Sequence, residues 1–276
     1  MHFVIRQGMR LLSEALSPPA PHEILQGERL FRPFLRQQRA WMRHFYPGDT
    51  LEKHRPSWQY LQKYLSPLIQ ASGSRWHCEG IMRLGLHSQD APDFSEFARR
   101  FHGESNGFSI HPVKGEIEPV TYFSLIAQKK FPCIPEMRHN DSLFCGSEPD
   151  FWHEAIGHLA PLCFPEVQDF YLSVADKILS SSGTPRYERN LAIAWTLSEY
   201  GFLREGDSPK MFGAALVSSH LAHMRYLHNY LCVEPASAKV ILESGFYEAD
   251  RAIARDEAGR QRFFCMDTLN IDALLD

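Results

Sequence analysis

The run Glu148-Pro149-Asp150-Phe151-Trp152-His153-Glu154-Ala155-Ile156-Gly157-His158 decides how this chain is read, because it sets two imidazoles five residues apart among acidic neighbours. Neutral imidazole nitrogens suit a divalent metal if a third ligand arrives from elsewhere. A zinc peptidase of the His-Glu-x-x-His type carries its histidines at i and i+4, about 400° apart and so on one helix face. Here the separation is i to i+5, about 500°, which leaves the rings roughly 140° apart on an ideal α-helix. Both reach one ion only if the helix ends or distorts between them, and Gly157 is the residue type that permits this. Zinc hydrolysis is disfavoured on that spacing. The ordinary alternative is a pair of hydrogen-bonded core imidazoles in a chain with 14 histidines.

A third ligand is legible downstream. The apolar run Leu191-Ala192-Ile193-Ala194-Trp195-Thr196-Leu197-Ser198-Glu199-Tyr200-Gly201-Phe202-Leu203 contains one carboxylate, Glu199. Burying a carboxylate without a partner costs several kcal/mol, so such a group meets a cation, a metal or hydrogen-bond donors. A salt bridge with Arg204 or Arg225 is one solution. The other is the set His153, His158 and Glu199, the two-histidine, one-carboxylate arrangement that leaves positions open on a non-haem iron(II).

The 276 residues and 44% hydrophobic content support one domain with a substantial core. The Pro18-Pro19-Ala20-Pro21 cluster sets residues 1–22 apart as an N-terminal arm, leaving 23–276 as the main domain. A net charge of −4 with scattered basic residues gives no footprint for nucleic acid. The six cysteines form no C-x-x-C pair, so neither a zinc knuckle nor a disulfide framework is read. The N-terminus lacks an apolar signal-peptide core, and no apolar run approaches the roughly 20 residues of a membrane span. The expectation is a cytoplasmic protein, monomer or small homo-oligomer, without nucleic-acid or membrane partners.

Helical spacing marks residues 28–65, as in Phe34-Leu35 with Trp41-Met42 and Trp58-x-x-Leu61-x-x-Tyr64-Leu65. Short helices are expected over 93–101, 120–131 and 164–181, and a buried helix over 191–203. Residues 108–113 alternate as a strand before a turn at Gly115. The predicted class is mainly α with minor short β-strands.

At this point the motifs become recognisable. Arg138-His139, followed after nine residues by Pro149-Asp150-x-x-His153-Glu154-x-x-Gly157-His158, closely resembles the core signature of the pterin-dependent aromatic amino acid hydroxylases, the family of phenylalanine, tyrosine and tryptophan hydroxylases. The resemblance continues through Trp195-x-x-x-Glu199-Tyr200-Gly201 and Gly206-Asp207-Ser208-x-Lys210-x-Phe212-Gly213-Ala214-x-Leu216-x-Ser218-Ser219. Upstream, Pro112-Val113-Lys114-Gly115 stands where the family has Pro-Val-x-Gly before its pterin loop. Matches in order run from about residue 90 to 222.

The resemblance implies a catalytic domain over 23–276 that hydroxylates the ring of an aromatic amino acid, using iron(II), a tetrahydropterin of the tetrahydrobiopterin type and dioxygen as co-substrate. It makes His153, His158 and Glu199 the iron ligands and puts Glu154 beside the pterin and the iron. Gly115 and Ile117 would belong to the pterin loop, with Tyr122 stacking on the pterin where the family has phenylalanine. Arg138 would bind the substrate's α-carboxylate, assisted by Ser218, with Pro149 and Trp195 lining the aromatic pocket.

Departures from the family pattern concentrate around the ligands' binding segments. Glu116 and Glu118 replace apolar or small residues of the pterin loop, Gly146 replaces a threonine of the carboxylate site, and the stretch 129–136 differs strongly. These leave two other readings in view: an iron oxygenase acting on an altered amino-acid-derived substrate, and a non-catalytic descendant that binds metal or pterin. The length leaves no room for an N-terminal regulatory domain, and no heptad run after residue 232 suggests a tetramerisation tail, so a bare catalytic domain is expected.

Overall fold

The computed structural model describes residues 50–115, 117–138, 149–244, 256, 258–272, 274 and 275, with the side chains of residues 50–55 left aside. The expected arm 1–22, the helical spacing around Trp41 and the Gly146 position lie outside the described residues. Helices dominate: α1 (Thr50–Ser72), α2 (Arg75–Arg83), α3 (Phe94–Glu104), α4 (Pro119–Ala127), α5 (Pro165–Ser181), α6 (Arg186–Tyr200), α7 (Ala214–Val217), α8 (His220–Leu227) and α9 (Ala238–Ser244). A π-helix, His153–Leu159, and a 3₁₀ turn, Pro161–Cys163, come between α4 and α5.

The helices form where the apolar spacing demands. In α5, Val167, Phe170, Tyr171, Val174, Ala175 and Ile178 recur on one face and are buried. In α3, Phe97 and Phe101 are buried, and Asp93 caps the N-terminus by accepting the Glu96 N–H at 2.9 Å. Helix α6 is buried from Asn190 to Leu197, as expected of an apolar run. It begins earlier than predicted, at Arg186, and it stops at Tyr200, because Phe202 and Leu203 are drawn into a sheet. The predicted helix 120–131 is likewise shortened, its last residues becoming a strand.

Two small sheets complete the fold. Strands β1 (Ser109–Pro112) and β2 (Lys130–Cys133) pair in parallel, with α4 as their crossover. The second sheet runs in the order β4-β3-β6-β5, with β3 (Phe202–Glu205) antiparallel to β4 (Ser208–Met211) and parallel to β6 (Gln261–Met266), which is parallel to β5 (Leu231–Pro235). One continuous core includes Trp58, Phe101, Phe131, Trp152, Phe170, Tyr200, Phe202 and Phe263. Among the described residues, no helix is long and apolar enough to cross a membrane, and Cys78, Cys133, Cys163, Cys232 and Cys265 are free thiols.

Candidate metal centre

The paired histidines lie on one element. Asp150 starts it: its Oδ1 accepts the His153 N–H at 3.0 Å, an N-cap contact, and its carbonyl accepts the Glu154 N–H at 2.9 Å. The helix does not end between the histidines, as an α-helical reading of the spacing would allow. It widens to an i→i+5 pattern, seen where the Ala160 N–H reaches the Ala155 carbonyl at 3.0 Å. Residues five apart then share a face, and His153 Nε2 stands 3.1 Å from His158 Nε2.

Gly157 acts here by lacking a side chain rather than by adopting an unusual dihedral. A Cβ at this position would lie 2.7 Å from Ala214 Cβ and 2.9 Å from both Ala214 Cα and its carbonyl oxygen. Gly213 plays the matching part on the other side, where a Cβ would meet the Glu199 and Tyr200 backbone at 2.3 Å. The N-terminal end of α7 is thereby wedged between the element carrying the histidines and the end of α6 carrying Glu199.

Glu199 closes the triangle. Its Oε1 is 3.1 Å from His158 Nε2 and its Oε2 is 3.6 Å from His153 Nε2. The arginines offered as alternative partners are engaged elsewhere: Arg204 with Asp267 at 2.7 Å and Arg225 with Gln261 at 3.4 Å. Two ligands about 2.1 Å from an ion and at right angles to one another stand about 3.0 Å apart. The two 3.1 Å separations match this spacing and the 3.6 Å one, to the other Glu199 oxygen, exceeds it, so the three side chains are grouped as ligands on one face of an ion would be.

The outer partners fix the imidazoles for that role. His153 Nδ1 is 3.0 Å from Ser218 Oγ, and His158 Nδ1 is 2.7 Å from Tyr171 Oη. If each ring donates its Nδ1–H outward, both Nε2 atoms are left to face one ion; His158 Nε2 also lies within hydrogen-bond reach of Glu199 Oε1 at 3.1 Å. Burial pushes the pKa of His153 down to about 4, against the pull of Glu199, so its ring is neutral and able to ligate near neutral pH.

A second carboxylate, Glu154, also converges with the two histidines to within 4.8 Å. The two acids differ in pKa. Burial, then Glu199 and Asp150, raise the pKa of Glu154 well above the usual carboxylate range, and the Ile134 N–H opposes this only in part. Burial acts on Glu199 in the same sense, but His158, His153 and the Ala215 N–H outweigh it and lower its pKa. The surroundings thus push the two acids in opposite directions, Glu199 toward its anion and Glu154 toward its neutral acid.

The triad opens into a cleft walled by Pro119, Tyr122 and Phe123 of α4, Pro149, Phe170 and Val174, and Leu191 and Trp195 of α6. Pro149, Trp195, Tyr122 and Glu154 line this cleft together with His153, His158 and Glu199. Gly115 and Ile117 do not line the cleft; from that segment it is Pro119, Tyr122 and Phe123 that do. Arg138 is buried in a two-pronged pair with Asp150, Nε to Oδ2 at 2.8 Å and Nη2 to Oδ1 at 2.6 Å, while its backbone N–H reaches Oδ2 at 2.7 Å. Ser218 faces His153. Asp150 stood in the motif, but its cap to His153 and its pairing with Arg138 were not read from it, and Tyr171 and the Ala215 amide gave no signal, since nothing in sequence relates them to the ligands they touch.

Comparison with known proteins bears on the fold and the family. The phenylalanine-4-hydroxylase of Vibrio cholerae is 28% identical over 163 residues, 59% of this chain and 55% of that protein. That of Mesorhizobium japonicum is 29% identical over 175 residues, 62% of each. The chain thus spans less than two thirds of the length of these curated relatives. The solved phenylalanine hydroxylase of Chromobacterium violaceum bound to cobalt superposes with a TM-score of 0.68 at 20% identity, over 80% of this chain and 76% of that one. The Legionella pneumophila enzyme gives 0.66 at 20% identity, over 82% and 86%. At such identities these likenesses show the fold. Residues 50–244 match the family model described as biopterin-dependent aromatic amino acid hydroxylase, and the chain belongs to that family.

Proposed function

We propose that the protein is a non-haem iron(II), tetrahydropterin-dependent monooxygenase that hydroxylates the ring of an aromatic amino acid. The observation that carries this reading is the triangle of His153, His158 and Glu199 at the wall of an aromatic cleft. When bound, iron(II) and the tetrahydropterin supply the electrons and the activation of dioxygen. The chain's own residues orient, charge and dry the site. His153, His158 and Glu199 hold the ion by one face. Tyr122 offers its ring face to the pterin, and Glu154 sits in the cleft wall beside the ligands, its pKa raised by burial.

Arg138 keeps donors for a substrate carboxylate even while paired. Asp150 takes Nε–H and one Nη2 proton, and a guanidinium has five N–H donors, so among the described residues the Nη1 side remains. Asp150 also pre-orients the fork, which lowers the entropy lost on binding. Pro149 and Trp195 flank the position of the aromatic ring, and the apolar walls exclude water from it.

The test is anaerobic loading with iron(II) and a tetrahydropterin, followed by a panel of aromatic amino acids with oxygen uptake and product mass recorded. Gain of one oxygen atom by one amino acid, dependent on both additions, is the expected result. An iron-loaded protein that shows no pterin-dependent oxygen uptake with any of them would overturn the proposal.

A further inference from the structure

His77, on α2, is fully buried and lies far from the ligands in sequence. Its Nε2 is 3.1 Å from the carbonyl oxygen of Gly157, and its Nδ1 is 2.8 Å from Ser74 Oγ. A carbonyl oxygen only accepts, so Nε2 carries the proton and Nδ1 receives the serine hydroxyl. The ring is held as one neutral tautomer aimed at one backbone atom.

That atom sits at the critical place. Gly157 directly precedes His158, in the turn that brings the two histidines together. The widened ladder stops after the Ala160 N–H because Pro161 has no N–H to give, and the chain tightens into the 3₁₀ turn 161–163. The imidazole of His77 provides a donor from outside the helix. Helix α2 is pressed onto the same end: a Cβ on Gly80 would lie 1.9 Å from the Ala160 carbonyl oxygen, so the two backbones touch.

We propose that His77 is a positioning residue for the metal centre, its Nε2–H pinning the Gly157 carbonyl and with it the i→i+5 turn that carries His158 to His153. The inference rests on the reading of His153, His158 and Glu199 as metal ligands. Without the pin, the segment relaxes toward α-helical register, in which the two imidazoles diverge by roughly 140°.

The experiment uses cobalt(II) as probe on metal-depleted full-length protein, with calorimetric titration and the visible absorption of the complex recorded for the parent, His77→Leu, His77→Gln, Ser74→Ala and His153→Ala. His77→Leu is expected to bind cobalt(II) about tenfold more weakly or worse, with a changed absorption envelope, as for loss of an outer partner of a metal site. His77→Gln, whose amide N–H reaches the same carbonyl, is expected to restore most of the affinity and the parent spectrum. Equal affinity and identical spectra for the Leu and Gln variants, with binding lost in His153→Ala, would overturn the role of His77 and leave the metal reading standing. Equal binding by the parent and His153→Ala would overturn both. Should His77→Leu fail to fold, Ser74→Ala keeps the ring but frees its proton to either nitrogen. A smaller loss of affinity in that variant supports the proposal, and none overturns it.

Discussion

Adding one methyl group at Gly157 tests the packing on which the centre depends. In Gly157→Ala the new Cβ would stand 2.7 Å from Ala214 Cβ and 2.9 Å from Ala214 Cα and oxygen. Two of these three contacts are backbone, so no rotamer change relieves them and α7 must move. Overpacking of this kind costs about 1–3 kcal/mol. Alanine returns about 0.5–1 kcal/mol through its better helical propensity, so the net loss is about 0–2.5 kcal/mol. For a domain of this size, a loss near the middle of that range lowers Tm by roughly 2–5 °C. The consequence for the site is larger than for the fold, because α7 supplies the Ala215 N–H to Glu199 and is followed at once by Ser218, which orients His153. Iron(II) affinity should fall by about tenfold or more. Thermal unfolding in chelator gives the first quantity and calorimetric titration of the metal-depleted protein the second. Adding Ala214→Gly should recover only part of the stability, since the backbone contacts remain. A Gly157→Ala protein with unchanged Tm and unchanged iron affinity would refute the wedge.

Glu199→Gln should weaken iron(II) binding by more than about 100-fold, as loss of a charged ligand exceeds loss of an outer partner, whereas Glu154→Gln, at the acid whose pKa burial raises, should cost far less; iron content after desalting distinguishes them. Arg138→Ala strips the buried Asp150 of its partner and should cost about 3–5 kcal/mol in urea unfolding, while an Arg138 that served substrate alone would raise KM with stability intact. His223, buried with its pKa pushed down to about 4, stays neutral in the fold as the unfolded chain takes up a proton. Its contribution is therefore constant above pH 6.5 and destabilises by about 1.4 kcal/mol per pH unit as pH falls from 6.5 toward 4. Urea unfolding of His223→Gln between those limits should show a pH slope smaller by one proton than the parent.

Much of the centre was legible before any coordinates. Glu199 stood out because it was the lone carboxylate in an apolar run, and a buried charge requires a partner whatever the fold. His153 and His158 stood out by chemistry, and their five-residue spacing already demanded a departure from α-helical geometry. The shortened ends of α4 and α6 were not legible, because Lys130–Phe131 and Phe202–Leu203 become strands only when β1 and β6 lie alongside. Strand partners come from distant sequence, and local periodicity does not register them.

Local chemistry thus determined by itself which side chains could ligate and which segments had to be buried, since ligand type and hydrophobic period are properties of neighbouring residues. Tertiary structure alone decided that the helix widens rather than ends. That outcome depends on Ala214 against Gly157, on His77 holding its carbonyl, and on Ser218 and Tyr171 turning the two imidazoles inward. It also pushes the two acids in opposite directions, because the pKa of Glu154 and of Glu199 is set by what burial places around each. These are contacts between residues remote in the chain, and only the folded packing brings them within reach of one another.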